Sequence, residues 1–125
     1  MSKENISLGK TSEEAAVKFL KNQGYRILAR NYRCFLGEID IIAKDKDTFC
    51  FIEVKSRSSD RFGLPQEAVS QNKRRRIIQT ALVYLKEKNL LERKARFDVI
   101  ALRHEAGEIS FDLIKNAFEL DNNLD

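Results

Sequence analysis

A chain of 125 residues, 42% apolar and 34% charged, is long enough for one domain with a single core and too apolar to be disordered. No apolar run nears the ~20 residues that span a bilayer, and the opening MSKENISLGK lacks the apolar centre of a signal peptide, so a cytoplasmic address is expected. Cys34 and Cys50 have no CxxC spacing and read as free thiols, and a net charge of +4 is too small to name a partner.

Ala15, Ala16, Phe19 and Leu20 recur with helical period, and Thr11 with Glu14 forms a capping box. A helix is therefore expected over about 12–22, with Gly24 as its stop. Three strands follow, roughly Arg26–Arg33, Glu38–Lys44 and Thr48–Lys55, then a polar loop over Ser56–Gly63 and a short helical turn at Pro65–Ala68. Ser70 stands as the N-cap of a longer helix to about Lys88 that buries Ile77, Ile78, Ala81, Leu82 and Leu85. ARFDVIAL and EISFDLI, separated by RHEAGE, read as a closing strand pair, with a frayed tail over 116–125. The order αβββαββ gives an α/β sandwich on a mixed sheet, one domain over 1–125 with its core at 9–115.

The stretch GEIDIIAKDKDTFCFIEVKSR places Glu38, Asp40, Glu53 and Lys55 inside two otherwise apolar strands. A tight turn, of two residues at Lys46–Asp47 or four over Asp45–Thr48, pairs the strands in one register, so that Asp40 faces Glu53 and Glu38 faces Lys55. Opposed β-carbons lie ~5 Å apart, and two carboxylates at that separation repel unless a proton or cation stands between them. Mg²⁺ or Mn²⁺, which take oxygen ligands, would relieve the pair. Lys55, two residues past Glu53 on the same face, would orient a water there. The other face, Ile39, Ile41 and Ala43 with Cys50, Ile52 and Val54, is apolar and suited to packing on a helix. A plain structural reading fits the same spacing: a Glu38–Lys55 ion pair, Asp40 neutralised by an arginine, and Glu53 at an exposed edge.

Cations cluster in NKRRR, Asn72–Arg76, and at Arg26, Arg30 and Arg33. The pattern suits a nucleic-acid backbone as well as a solvated surface. Four cations opening a helix oppose its dipole, which is easier to understand if phosphates approach there. Lys73 and Arg74 flank the inward stripe of that helix, whereas Arg75 and Arg76 point more outward. His104 is the single histidine and reads as a surface or turn residue, so Ser–His or Cys–His catalysis has no support.

Asp40 followed by Glu53-Val54-Lys55 resembles the D-x(n)-(D/E)-x-K signature of the PD-(D/E)XK nucleases. The longer run GKTSEEAAVKFLKNQGYRILARNYRCFLGEIDIIA, FIEVKSR, FGLPQEAVSQNKRRRI and RFDVIAL closely resembles the YraN family of small bacterial proteins, over roughly Gly9 to Leu102. That family is similar in its core to archaeal Holliday-junction resolvases.

The resemblance implies a restriction-endonuclease-like domain in which Asp40 and Glu53 hold Mg²⁺ or Mn²⁺ and Lys55 is the catalytic lysine. The Val54 carbonyl would be a further ligand, and Glu13 would complete the site, since Ser12-Glu13-Glu14-Ala15-Ala16 matches the family's G-E-x-x-A with Ser12 in place of its glycine. Glu14 has a capping task, while Glu13 lies on the stripe of Ala16 and Leu20; its other reading is a charge favourable to the helix N-terminus. Glu38, in the matching GEID, would support Lys55, and Lys73, Arg74 and Arg57 would hold the backbone.

The function expected is a metal-dependent endonuclease hydrolysing DNA phosphodiester bonds, extending to branched or structured DNA. The alternatives are a non-catalytic nucleic-acid-binding module on a nuclease scaffold and an interaction adaptor in DNA processing. DNA is the partner expected, with no membrane, and analogy with the resolvases adds a homodimer.

Overall fold

The computed structural model describes residues 2–57 and 69–118, the side chains of residues 2–11 and 57 excepted. Most of the Ser56–Gly63 loop, the turn at Pro65–Ala68 and residues 119–125 lie outside the described residues. The elements are α1 (Ser2–Asn22), β1 (Arg26–Cys34), β2 (Gly37–Asp45), β3 (Thr48–Arg57), α2 (Gln71–Glu87), β4 (Lys94–Glu105) and β5 (Glu108–Phe118), the αβββαββ order expected. They form a mixed five-stranded sheet in sequential order, antiparallel except between β3 and β4. α2 is the crossover that a parallel pair requires.

The two helices cover opposite faces of the sheet. On one, Ala16, Val17 and Leu20 of α1 pack on Ile41, Ala43, Cys50, Ile52, Ile100 and Leu102. On the other, Ile77, Ile78, Ala81, Tyr84 and Leu85 of α2 pack on Ile42, Phe49, Phe51, Phe97 and Val99. Leu82, expected in the core, is exposed; Thr80 and Tyr84 take the buried positions of the stripe instead. Among the described residues no helix is long and apolar enough to cross a membrane.

Three boundaries differ from expectation. α1 already runs from Ser2, so Thr11 does not mark its start and the capping box is not the reason Glu14 faces outward. The connection between the last two strands narrows to Ala106–Gly107, both at positive φ, where Gly107 carries no steric cost. β5 runs past Asn116: Ala117 and Phe118 remain in the strand, and the buried Phe118 ring stacks on Phe97 at 5.1 Å.

Of the two turn lengths expected, the β2–β3 hairpin has the two-residue one at Lys46–Asp47, and its register is the expected one from Asp45↔Thr48 to Ile41↔Ile52. Strict alternation along β2 fails, however. Ile41 joins the α1 side as expected, but Ile39 packs in the α2-side core. The cause lies in β1, where Asn31 adopts a left-handed conformation (φ 52°). On either side of it, Arg30 (opposite Ile41) reaches α1 through Glu13, while Tyr32 (opposite Ile39) reaches Tyr84 and Glu87 of α2. The two-residue period is lost at one place in both strands, and Asp40 sits at that place.

Candidate functional site

Beyond Ile41↔Ile52 the β2–β3 ladder ends, and the Asp40 side chain takes it over. Its Oδ2 accepts a hydrogen bond from the Val54 amide at 2.8 Å, a strut between the strands at the step where Asp40 and Glu53 were expected to face. Glu53 follows Phe51 on the α2 side of β3 and is almost fully buried. Burial, and then the neighbouring Glu53 carboxylate, push the Asp40 carboxyl up to about 7, against the opposing pull of the Val54 amide and Lys73. The two acids are therefore close and poorly solvated, as the hairpin pattern implies.

α2 delivers the cation beside them. Ser70 caps the helix, its Oγ accepting from the Lys73 amide at 3.2 Å, which fixes the first turn and aims Lys73 back over β3. Lys73 Nζ lies 2.8 Å from Glu53 Oε1, in a pair whose carboxylate side chain is 7% exposed and whose lysine is 43% exposed. Burial disfavours the Lys73 ammonium, yet its contact with Glu53 outweighs this and the net direction is upward. Lys55 is displaced the other way: burial, and then the Lys73 ammonium beside it, lower it from the ordinary lysine value, while Glu53 and Asp40 pull back. Lys73 was expected to face a phosphate backbone; it is the neutralising partner of the buried acid.

An open cleft of ≈ 480 Å³ lies against this group, lined by Glu38, Asp40, Glu53, Asn72, Lys73 and Arg76 among others. Arg76 is exposed, as expected, and also forms one of its walls. Lys73, Arg76, Ile77 and Thr80 follow the i, i+3, i+4, i+7 spacing of one helix face, and that face meets the start of β2 at Gly37. A Cβ at Gly37 would stand 3.0 Å from Thr80 Oγ1, so glycine is what lets α2 approach this closely. Arg74 lies elsewhere on the helix. Its Nε donates to the Val69 carbonyl at 2.8 Å, and its guanidinium lies over the Phe118 ring. The Arg57 side chain is outside the described residues.

Two expected members of the site are engaged differently. Glu13 Oε1 accepts from Asn31 Nδ2 at 2.8 Å and pairs with Arg30 at 3.4 Å, drawn to β1 by the left-handed residue that no sequence pattern announced. Glu38 does not pair with Lys55; it pairs with its neighbour across β1–β2, Arg33, at 3.1 Å. Once the β2–β3 ladder stops, Glu38 has no partner on β3, and the β1 side is nearer.

Among the described residues no group of three or more His, Cys, Asp or Glu is assembled to hold a metal ion. Asp40 and Glu53 remain as a pair of oxygen donors. That set fits Mg²⁺ or Mn²⁺, since Mg²⁺ is commonly held by one or two carboxylates with water completing the shell.

Sequence reasoning passed over two polar clusters. His104 is half-buried near the end of β4, its Nε2 2.9 Å from Ser56 Oγ and 3.4 Å from the Oγ of the buried Ser12. On the α1 side, fully buried Asp98 accepts from Arg96 Nε (2.9 Å), the Tyr25 hydroxyl (3.3 Å) and the Asn116 amide (2.9 Å). Arg96 also reaches Asp45 at 3.1 Å. The signal was an Arg and an Asp two residues apart on the same face of the apolar run RFDVIAL.

The mixed sheet between two helices, with an acid on β2 and an acid-x-lysine on the adjoining β3, defines a PD-(D/E)XK-like α/β domain. The family model described as "Uncharacterised protein family UPF0102" matches residues 12–102, and the chain belongs to that family, the YraN family its motifs resemble. It is 51% identical over 117 residues to a UPF0102 protein of Syntrophus aciditrophicus, covering 94% of this chain and 92% of the relative. It is 49% identical over 118 residues to one of Clostridium acetobutylicum (93% and 97%), and 44% identical over 121 residues to one of Desulforapulum autotrophicum (97% and 100%).

Proposed function

We propose that this chain binds the phosphate backbone of nucleic acid, DNA in the first instance, in the cleft between α2 and β2–β3. We further propose that the cleft hydrolyses a phosphodiester bond with a divalent cation held by Asp40 and Glu53. The observation that carries the reading is the buried pair itself: two neighbouring carboxylates, one of them pushed up to about 7, with Lys55 beside them. Crowding two carboxylates costs stability beyond what the Val54 strut and the Lys73 pair return, and perturbed acids in a cleft point to a ligand that uses them.

Mg²⁺ or Mn²⁺ would supply Lewis-acid stabilisation of charge on the phosphate. The chain's own residues do the rest. The Val54 amide holds Asp40 in place, and Lys55 beside the acids can orient a water there. Lys73 and Arg76 give the cleft its positive wall, and Arg74, outside that wall, and Arg57 would meet the backbone beyond it. Phe35, 91% exposed at the β1–β2 tip and two residues from Gly37, is an apolar wedge of the kind that unstacks a base step, which favours branched or structured DNA.

A non-catalytic nucleic-acid-binding module on the same scaffold has support of its own. Lys73 already neutralises Glu53, Glu13 is engaged by β1 and Glu38 by Arg33, which leaves two acids to hold a metal, one of them already paired. Both readings share the backbone-binding cleft and part on metal. The test follows cleavage of linear, forked and four-way DNA during Mg²⁺ or Mn²⁺ titration. Metal-dependent nicking that disappears in Asp40→Ala and Lys55→Ala supports hydrolysis. Binding without turnover that ignores EDTA supports the module, and absence of salt-dependent binding leaves only an interaction adaptor.

A further inference from the structure

Among the described ion pairs Lys73 is the cation paired with Glu53, and its position is not that of a settled structural bridge. Glu53 cannot leave: it is buried on the central strand β3, paired there with Val99 of β4. Lys73 can. It sits in the first turn of α2 on a flexible stem, its side chain 43% exposed, beside a cleft whose other walls include Asn72 and Arg76. A short outward rotation takes its ammonium from Glu53 to where a phosphate in the cleft would lie. A divalent cation bound through Glu53 Oε1 would stand within a few ångströms of Lys73 Nζ, and two cations competing for one buried oxygen repel.

We propose that Lys73 is a tethered counter-ion that exchanges with the divalent cation, so that metal binding and backbone binding are coupled through this one side chain. The proposal rests on the metal-binding reading of Asp40 and Glu53. A phosphate that captures Lys73 releases Glu53 and tightens metal binding; a metal that displaces Lys73 frees it to hold the phosphate. By linkage the two effects are equal in free energy. Between substrates, Lys73 keeps the buried carboxylate from standing unpaired.

The test reads metal affinity rather than cleavage. Mn²⁺ binding is measured by calorimetry and by the loss of the free-ion electron-spin signal, on the full chain, with and without a short phosphorothioate duplex that resists hydrolysis. Lys73→Gln, which keeps length and removes charge, is expected to bind Mn²⁺ about five-fold or more tighter than the natural chain. The duplex is expected to tighten Mn²⁺ binding to the natural chain by a similar factor and to leave Lys73→Gln unchanged. Lys73→Arg, which restores the cation, is expected to return both behaviours. If Lys73→Gln binds Mn²⁺ no tighter, or the duplex effect is the same in both proteins, while Asp40→Asn still abolishes binding, the exchange is wrong and the metal site stands. If neither protein binds Mn²⁺, the exchange and the metal site fall together.

Discussion

Asp40→Asn separates the electrostatics of the site from its packing. The amide has nearly the size of the carboxylate, and its oxygen can still accept from the Val54 N–H, so the strut between β2 and β3 survives. What disappears is a buried charge next to Glu53. A rise from 3.8 to about 7 corresponds, at ~1.4 kcal/mol per pH unit, to a ceiling of roughly 4 kcal/mol. Local relaxation reduces the expected cost to about 1–3 kcal/mol. The sign follows from proton binding. Between pH ~4 and ~7 the folded chain holds a proton on Asp40 that the unfolded chain has lost, so stability falls as pH rises through this window. The full cost applies above pH 7 and vanishes below the unfolded value. Urea unfolding at pH 5 and pH 8 should show Asp40→Asn more stable than the natural chain, with the larger advantage at pH 8. A variant equally destabilised at both pH values would refute the crowded-acid reasoning.

Gly37→Ala should cost about 1–3 kcal/mol, because the added carbon meets Thr80 Oγ1 at 3.0 Å; Thr80→Ala should recover part of it in a double-mutant cycle, and strictly additive costs would count against a contact. Asp98→Ala removes the acceptor shared by Arg96, Tyr25 and Asn116 and should cost about 3–5 kcal/mol in denaturant titration, whereas a loss under about 1 kcal/mol would show the network to be dispensable. Cys50 is fully buried, and burial followed by the Asp98 charge pushes its thiol up to about 12, so at pH 8 a thiol reagent should label Cys34 in the folded chain and Cys50 only on unfolding. Equal rates for the two would contradict the burial.

The hairpin at the site was legible because its determinants are local. Lys46–Asp47 fixes the turn, the turn fixes the register as far as Ile41↔Ile52, and Asp40 and Glu53 follow next on their strands as neighbours. Ser70 was legible as a cap for the same reason. What the sequence did not show depends on partners far away along the chain. Asn31 is an ordinary strand residue until its positive φ turns Arg30 and Tyr32 to opposite helices, moving Ile39 to the α2 side and Glu13 to β1. Helical phase placed Arg76 on the exposed side, where it is, but could not place it at the cleft, because its neighbour there is Gly37 on another element. Lys73 was recognised as a functional cation, but its contact with Glu53 requires knowing how α2 crosses β3.

The most direct measurement is anomalous scattering from crystals of the natural chain grown with Mn²⁺. A peak is expected at coordination distance, ~2.1 Å, from carboxylate oxygens of both Asp40 and Glu53, with Lys73 turned away from Glu53. Saturating Mn²⁺ that leaves no peak there, with Lys73 still on Glu53, would contradict it and reduce the centre to a buried ion pair.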